Sequence, residues 1–216
     1  MNQIPELQKT SSWQALHANI RTDCYVLLAA LLLGPPSPAL LALVRHLTWD
    51  EDLPEKLNRA LAALNQAGNH CPEEKIAEQF QRLFVGLGSG ELVPYGSWYR
   101  EKRIQSKTLA VIRADLGRLG IIKQADSFES EDHAGALCES MALLSAPENG
   151  VAEIEQAAFF NRHLAPWMVD FFKDMEDAKD AEFYPMVGAL GRCFLKTESD
   201  YLQNFVTTAE KERQVD

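Results

Sequence analysis

The sequence predicts an all-α fold: a compact single domain of roughly nine or ten helices. Three observations carry that expectation. Apolar residues recur at three-to-four spacing through most of the 216 residues. Prolines and glycines interrupt that pattern at intervals suited to helix ends. Short alternating Val/Ile-rich runs bounded by turns, the mark of strands, are absent. With 46% hydrophobic residues, the chain has ample material for a core.

Taken in order, residues 1–11 read as a flexible polar start and 12–216 as the helical domain. Ser12 suits an N-cap for a first helix running to Leu33, which Gly34-Pro35-Pro36 stops. Helices are then expected over Pro38–Leu47 and Leu53–Ala67, the second ended by Gly68-Asn69. Pro72-Glu73-Glu74 opens the next, because proline fits a first turn and acids favour the positive end of the helix dipole. Its Ile76, Phe80, Leu83 and Phe84 fall on one face. A long helix from about Trp98 to Leu119, closed by Gly120, follows, and Lys123–Ser130 forms a polar linker. Further helices are expected over Glu131–Ser145, Val151–Leu164, Trp167–Ala178 and Glu182–Lys196, with a last one near Ser199–Glu210. Pro147 and Pro166 supply two of the breaks.

Composition narrows the function classes. A formal charge of -10 argues against nucleic acid as a partner, since phosphate binding needs a basic face. It suits a basic peptide, though many soluble proteins are as acidic. Cys24, Cys71, Cys138 and Cys193 are far apart, without CxxC or histidines at metal spacing. They read as free thiols in a reducing, cytoplasmic setting, and Cys24, Cys138 and Cys193 as small core residues. The apolar run Tyr25–Leu33 is too short for a membrane span, which needs roughly 20 residues. It also lacks the basic flank and cleavage site of a secretory signal, so the chain reads as neither exported nor membrane-spanning.

The most informative stretch is Phe80–Tyr99, FQRLFVGLGSGELVPYGSWY. An amphipathic helix enters the loop Gly86-Leu87-Gly88-Ser89-Gly90 and leaves through Pro94, Tyr95, Ser97, Trp98 and Tyr99. Rings with a polar handle offer contact area at little rotamer loss, which suits recognition, although such a loop can equally tuck its aromatics under the core. The glycines do not form a nucleotide loop, because a helix rather than a strand precedes them. Ser89 is in no GxSxG register.

Asp132-His133 could act as an acid–base pair or bind a ligand. At a helix start it could equally cap, with Asp132 or Ser130 accepting backbone N–H bonds. Adjacent helical residues point about 100° apart, so the pair cannot grip one ion unaided, and no metal site is expected. Asn161-Arg162-His163-Leu164-Ala165-Pro166-Trp167 forms a second polar-aromatic cluster at a helix break, where polar residues commonly serve unpaired backbone groups.

Taken together, Leu83-Phe84-x-Gly86, Pro94-Tyr95-x-Ser97-x-Tyr99, Glu129-x-x-Asp132-His133 and His163-Leu164-x-Pro166-Trp167 resemble, in order and spacing, the TorD/DmsD family of redox-enzyme maturation chaperones. The likeness covers about Ile76–Leu195. It implies an all-helical fold, no catalysis, no cofactor, and a cytoplasmic monomer or homodimer. The implied partner is the twin-arginine leader, or the apoprotein, of an exported molybdenum-cofactor oxidoreductase. Carried onto this chain, the implied peptide-binding residues are Leu83, Phe84, Pro94, Tyr95, Ser97, Trp98, Glu129, Asp132 and His133, with Trp167 as groove wall. The chain departs from the family at Ser130, where proline is usual. A leader joins two arginines to an apolar run, so its receptor needs carboxylates beside an apolar, aromatic surface. Two other classes compete: a helical enzyme using Asp132-His133 as base and orienter, and an adaptor that docks on a folded partner.

Overall fold

The computed structural model describes residues 5–48, 53–86, 90–102, 107–122 and 129–213, with side chains between 19 and 206. Leu87, Gly88 and Ser89 of the glycine loop, and 123–128 of the expected linker, lie outside the described residues. Ten α-helices stand among those described: α1 Pro5–Leu32, α2 Pro38–Arg45, α3 Glu55–His70, α4 Glu73–Phe80, α5 Gly96–Glu101, α6 Lys107–Arg118, α7 Ala134–Ser145, α8 Glu153–His163, α9 Met168–Glu176 and α10 Tyr184–Arg213. A π-turn, Gln81–Val85, extends α4, and a 3₁₀ turn, Pro147–Asn149, follows α7. Among the described residues there is no strand, only one isolated bridge, and no helix long and apolar enough to cross a membrane.

The apolar stripes explain the assembly. α1 lies along α7 and α9 along α10, with α3 and α8 closing on α10. One core runs through them, from Tyr25, Leu28 and Leu31 of α1 to Leu137 and Met141 of α7, Phe159 and Phe160 of α8, Phe171 and Phe172 of α9, and Leu190 and Phe194 of α10. α9 reaches α10 closely because Gly191 carries no side chain. A Cβ there would sit 2.4 Å from the Phe172 ring, so Gly191→Ala forces the helices apart.

Several boundaries differ from the sequence expectation. α1 begins at Pro5, ahead of Ser12. α3 runs through Gly68-Asn69 to His70, because that turn is held by α2. Asn65 Nδ2 donates to the Arg45 carbonyl at 2.9 Å, and Arg45 Nε donates back to the Gly68 carbonyl at 2.8 Å. The expected helix from Trp98 to Leu119 is two helices, since Lys102 adopts the left-handed region at φ 55° and ends α5. Gly120, at φ 74°, closes α6 as expected, with Ile121 N–H reaching the Leu116 carbonyl at 2.9 Å.

The two last expected helices are one continuous α10. Thr197 does not break it, since its hydroxyl donates to the Cys193 carbonyl one turn back at 3.2 Å. Glu198 points inward instead. Its carboxylate takes Arg21 in a bidentate pair, 2.7 Å on both oxygens, while Arg21 also donates to Gln156 at 2.7 Å and lies over the Tyr201 ring. This buried cluster ties α1, α8 and α10. The start of α10 is capped from α4, where Gln79 Oε1 accepts the N–H groups of Glu182, Phe183 and Tyr184.

All four cysteines are free. Cys24, Cys71 and Cys138 are buried, and Cys193 is half-buried against the core. Burial pushes the Cys24 thiol up to about 12 and the Cys138 thiol higher still, which keeps both unreactive.

Candidate peptide-binding site

The two most informative sequence segments meet in space. The π-turn is closed by Gly86 N–H on the Gln81 carbonyl at 2.7 Å. The carbonyls of Arg82 and Leu83 therefore remain available and accept Glu91 N–H at 3.3 Å and Leu92 N–H at 2.8 Å. The returning chain lies so close that a Cβ on Gly90 would stand 2.3 Å from the Leu83 carbonyl oxygen. From there Pro94–Ser97 runs alongside Asp132–Ala134.

That junction is a short antiparallel bridge with Tyr95 opposite His133. Gly96 N–H donates to the Asp132 carbonyl at 2.9 Å, and Ala134 N–H donates to the Pro94 carbonyl at 2.8 Å. The Asp132 side chain is fully buried. Its Oδ2 accepts Ser97 N–H at 3.1 Å, and its Oδ1 accepts the Ser130 hydroxyl. Ser97 lies in the first turn of α5, whose N–H groups have no intrahelical acceptor, so Asp132 caps that helix from another segment. Ser130 has a role proline could not fill, because proline has no hydroxyl to orient the carboxylate.

His133 caps its own helix. Its Nδ1 accepts Gly135 N–H at 3.0 Å at the start of α7. A ring nitrogen that accepts carries no proton, so the neutral ring holds its proton on Nε2. Burial drives the imidazole pKa down to about 4, although Glu129 and Asp132 pull the other way. The capping expected of Asp132 or Ser130 on their own helix thus falls to His133, while Asp132 serves α5.

Above this buried pair lies an open edge. The Tyr95 ring packs edge-on against His133 with centroids 5.1 Å apart, and its hydroxyl donates to Glu129 Oε2 at 2.5 Å. Burial, and then Glu129, raise the Tyr95 phenol pKa, so it stays protonated and donating. Trp98 is 37% exposed, with the Lys102 ammonium 5.9 Å from its ring centroid. Trp167 forms the floor. It donates from Nε1 to the His163 carbonyl at 2.8 Å and packs 5.4 Å from the Tyr99 ring, itself held by a 2.7 Å bond to Asp174.

Of the ten residues singled out in sequence, Trp98 is exposed, and Phe84, Tyr95 and Glu129 are half-buried. Leu83, Pro94, Ser97, Asp132, His133 and Trp167 are buried beneath or beside them. Phe84 packs between Phe80 and Tyr184, at 5.1 and 5.2 Å. Lys102 and Tyr99 complete the edge and were not among the ten. Tyr99 stood in the quoted motif, whereas nothing in the sequence around Lys102 signals its left-handed turn. His163 is tied elsewhere: its Nε2 meets Asp115 of α6 at 2.7 Å, and burial lowers its pKa. No group of three His, Cys, Asp or Glu among the described residues could hold a metal ion.

The chain resembles known proteins in sequence and in fold. The profile of the family described as the nitrate reductase delta subunit matches residues 50–173. The chain is 34% identical over 126 residues to the Tat proofreading chaperone DmsD of Salmonella typhi, a match covering 57% of this chain and 60% of that one. It is 26% identical over 144 residues to the probable Tat proofreading chaperone DmsD of Haemophilus influenzae, covering 66% and 68%. The matched region is thus less than two thirds of the Salmonella typhi protein's length. A crystal structure described as a redox enzyme maturation protein from Archaeoglobus fulgidus superposes with a TM-score of 0.56 at 18% identity, over 82% of this chain and 94% of that one. At that identity the superposition speaks for the fold. With more than half the chain inside the family profile, and with relatives of this kind, the chain belongs to the TorD/DmsD family of redox-enzyme maturation chaperones.

Proposed function

We propose that this protein is a cytoplasmic chaperone that binds the twin-arginine leader, the apoprotein, or both, of an exported molybdenum-cofactor oxidoreductase. Holding the leader supports cofactor insertion and delays export until the enzyme is complete. The observation that carries this reading is the open edge formed by Tyr95, Trp98 and Glu129 over a rigid, buried junction. Glu129 offers Oε1, which has no hydrogen-bond partner among the described residues, to a guanidinium. Trp98 and Tyr95 offer ring faces to the arginine and to the apolar run behind it.

The same geometry favours positioning over catalysis. Asp132 has both oxygens engaged, and His133 has its accepting nitrogen engaged by backbone. Neither is arranged to exchange a proton with a substrate.

Calorimetry with a leader peptide tests the reading. Carboxylate–arginine pairing implies binding that weakens steadily as salt shortens the Debye length from about 10 Å at 0.1 M to about 3 Å at 1 M. Affinity indifferent to salt would contradict the charge pairing, and the absence of any binding would contradict the function.

A further inference from the structure

An open groove of about 900 Å³ is lined by Glu74, Ala77, Glu78, Gln81, Arg82, Gly86 and Glu91, along α4 and the π-turn. Its lining is mainly apolar, supplied by the Ala77 methyl, Gly86 and side-chain methylenes, while its charges are mostly acidic. Glu74 and Glu78 stand one turn apart on the exposed face of α4. Like charges at that spacing repel unless a cation sits between them. No ion pair neutralises either one among the described residues. The single basic residue of the groove, Arg82, is already committed. It pairs with Glu91 at 3.5 Å and donates to the carbonyls of Lys179 and Asp180 at 2.8 and 3.1 Å. The groove therefore presents uncompensated negative charge beside apolar surface.

We infer that this groove takes an arginine-bearing stretch of the client peptide, an inference that rests on the function proposed above. Its occupant is a basic segment with a short apolar neighbour: guanidinium groups meet Glu74 and Glu78, and the apolar part covers Ala77 and Gly86. Continuity with the Tyr95 edge supports one ligand spanning both. Glu91 on the groove wall is four residues from Tyr95, so their Cα atoms are at most about 14 Å apart. An extended peptide of about five residues covers that distance.

The test uses two synthetic 20-residue peptides, one with two adjacent arginines before an Ala/Leu run and one with glutamines in their place. Binding to the full chain is read by fluorescence anisotropy at fixed salt, with circular dichroism and melting confirming that each variant folds. The double variant Glu74→Gln/Glu78→Gln is expected to bind the arginine peptide about three- to tenfold more weakly, as for two partly exposed ion pairs. It should bind the glutamine peptide like the unmodified protein. The charge-matched control Glu139→Gln/Glu148→Gln, on exposed residues of α7 and the 3₁₀ turn, should leave the arginine peptide unaffected. An equal loss in that control would mean that net charge alone is at work and would overturn the inference. Trp98→Ala separates the two ideas. Loss with Trp98→Ala and none with the α4 double variant removes the groove and keeps the proposed function. An unmodified protein that binds neither peptide removes both.

Discussion

Arg21–Glu198 and Asp132–His133 are both buried polar pairs that join distant parts of the chain, yet they serve different ends. The first is an ion pair sealed among α1, α8 and α10, with every partner internal. The second bonds to backbone: Asp132 to the start of α5 and His133 to the start of α7. Its hydrogen bonds tie the backbone on both sides of Tyr95 to the start of α7, beside the exposed Trp98 and the half-buried Tyr95 and Glu129. Burial at Glu198 holds the fold together, whereas burial at Asp132 gives an exposed edge its shape. The contrast implies that damage at the first pair registers in stability alone, while damage at the second registers in stability and binding together.

The largest expected effect breaks the scaffold side. Glu198→Ala leaves a buried, unpaired guanidinium and should destabilise the fold by about 3–5 kcal/mol in urea titrations. The fraction that remains folded should bind leader peptide with unchanged affinity. Asp132→Ala comes next. It strips an acceptor from Ser97 N–H and from the Ser130 hydroxyl, so a loss of about 1–3 kcal/mol is expected. Here leader affinity should fall as well, because α5 and Tyr95 lose their anchor. If affinity held while stability fell, Asp132 would be a cap and nothing more.

A smaller effect sharpens the comparison through pH. The His133 imidazole is neutral when folded, with a pKa near 4, against an ordinary value of 6.5 in the unfolded chain. The unfolded state therefore binds more protons between those values. Stability is full above about pH 6.5 and declines as pH falls toward 4, and His163, also lowered by burial, adds in the same direction. His133→Asn keeps an acceptor for Gly135 N–H and removes the titration. Its stability should match the unmodified protein near pH 7.5 and decline less steeply between pH 6.5 and 4.5. Parallel curves for the two proteins would show that His133 is not held neutral.

The same contrast explains what could be read in the sequence. Proline and glycine breaks and the apolar stripes yielded the helical architecture, because those signals act within a turn or two of the chain. Of the open edge, Tyr95 and Trp98 stood out as aromatics beside the glycine loop, while Glu129 entered through the family resemblance. The Arg21–Glu198 pair was not, since 177 residues separate its members and neither stands in a local motif. Lys102 ended a helix in a conformation that lysine rarely adopts, and the unbroken α10 depends on Glu198 finding Arg21. Asp132 was recognised as a cap or a ligand, but the helix it caps lies 35 residues earlier in the chain. Pairings across the fold decide these features, and local pattern does not encode them.

The central claim is that the exposed edge binds and the buried junction positions. Trp98→Ala tests it most directly, because Trp98 is open to solvent and supports little of the core. The account predicts a change in stability within about 0.5 kcal/mol, a shift in melting of only about 1–2 °C for a chain of this size. Calorimetry on the same sample should show leader affinity reduced about tenfold, as for loss of an aromatic contact at the centre of an interface. Unchanged affinity with unchanged melting would contradict the account and place the client elsewhere on the molecule.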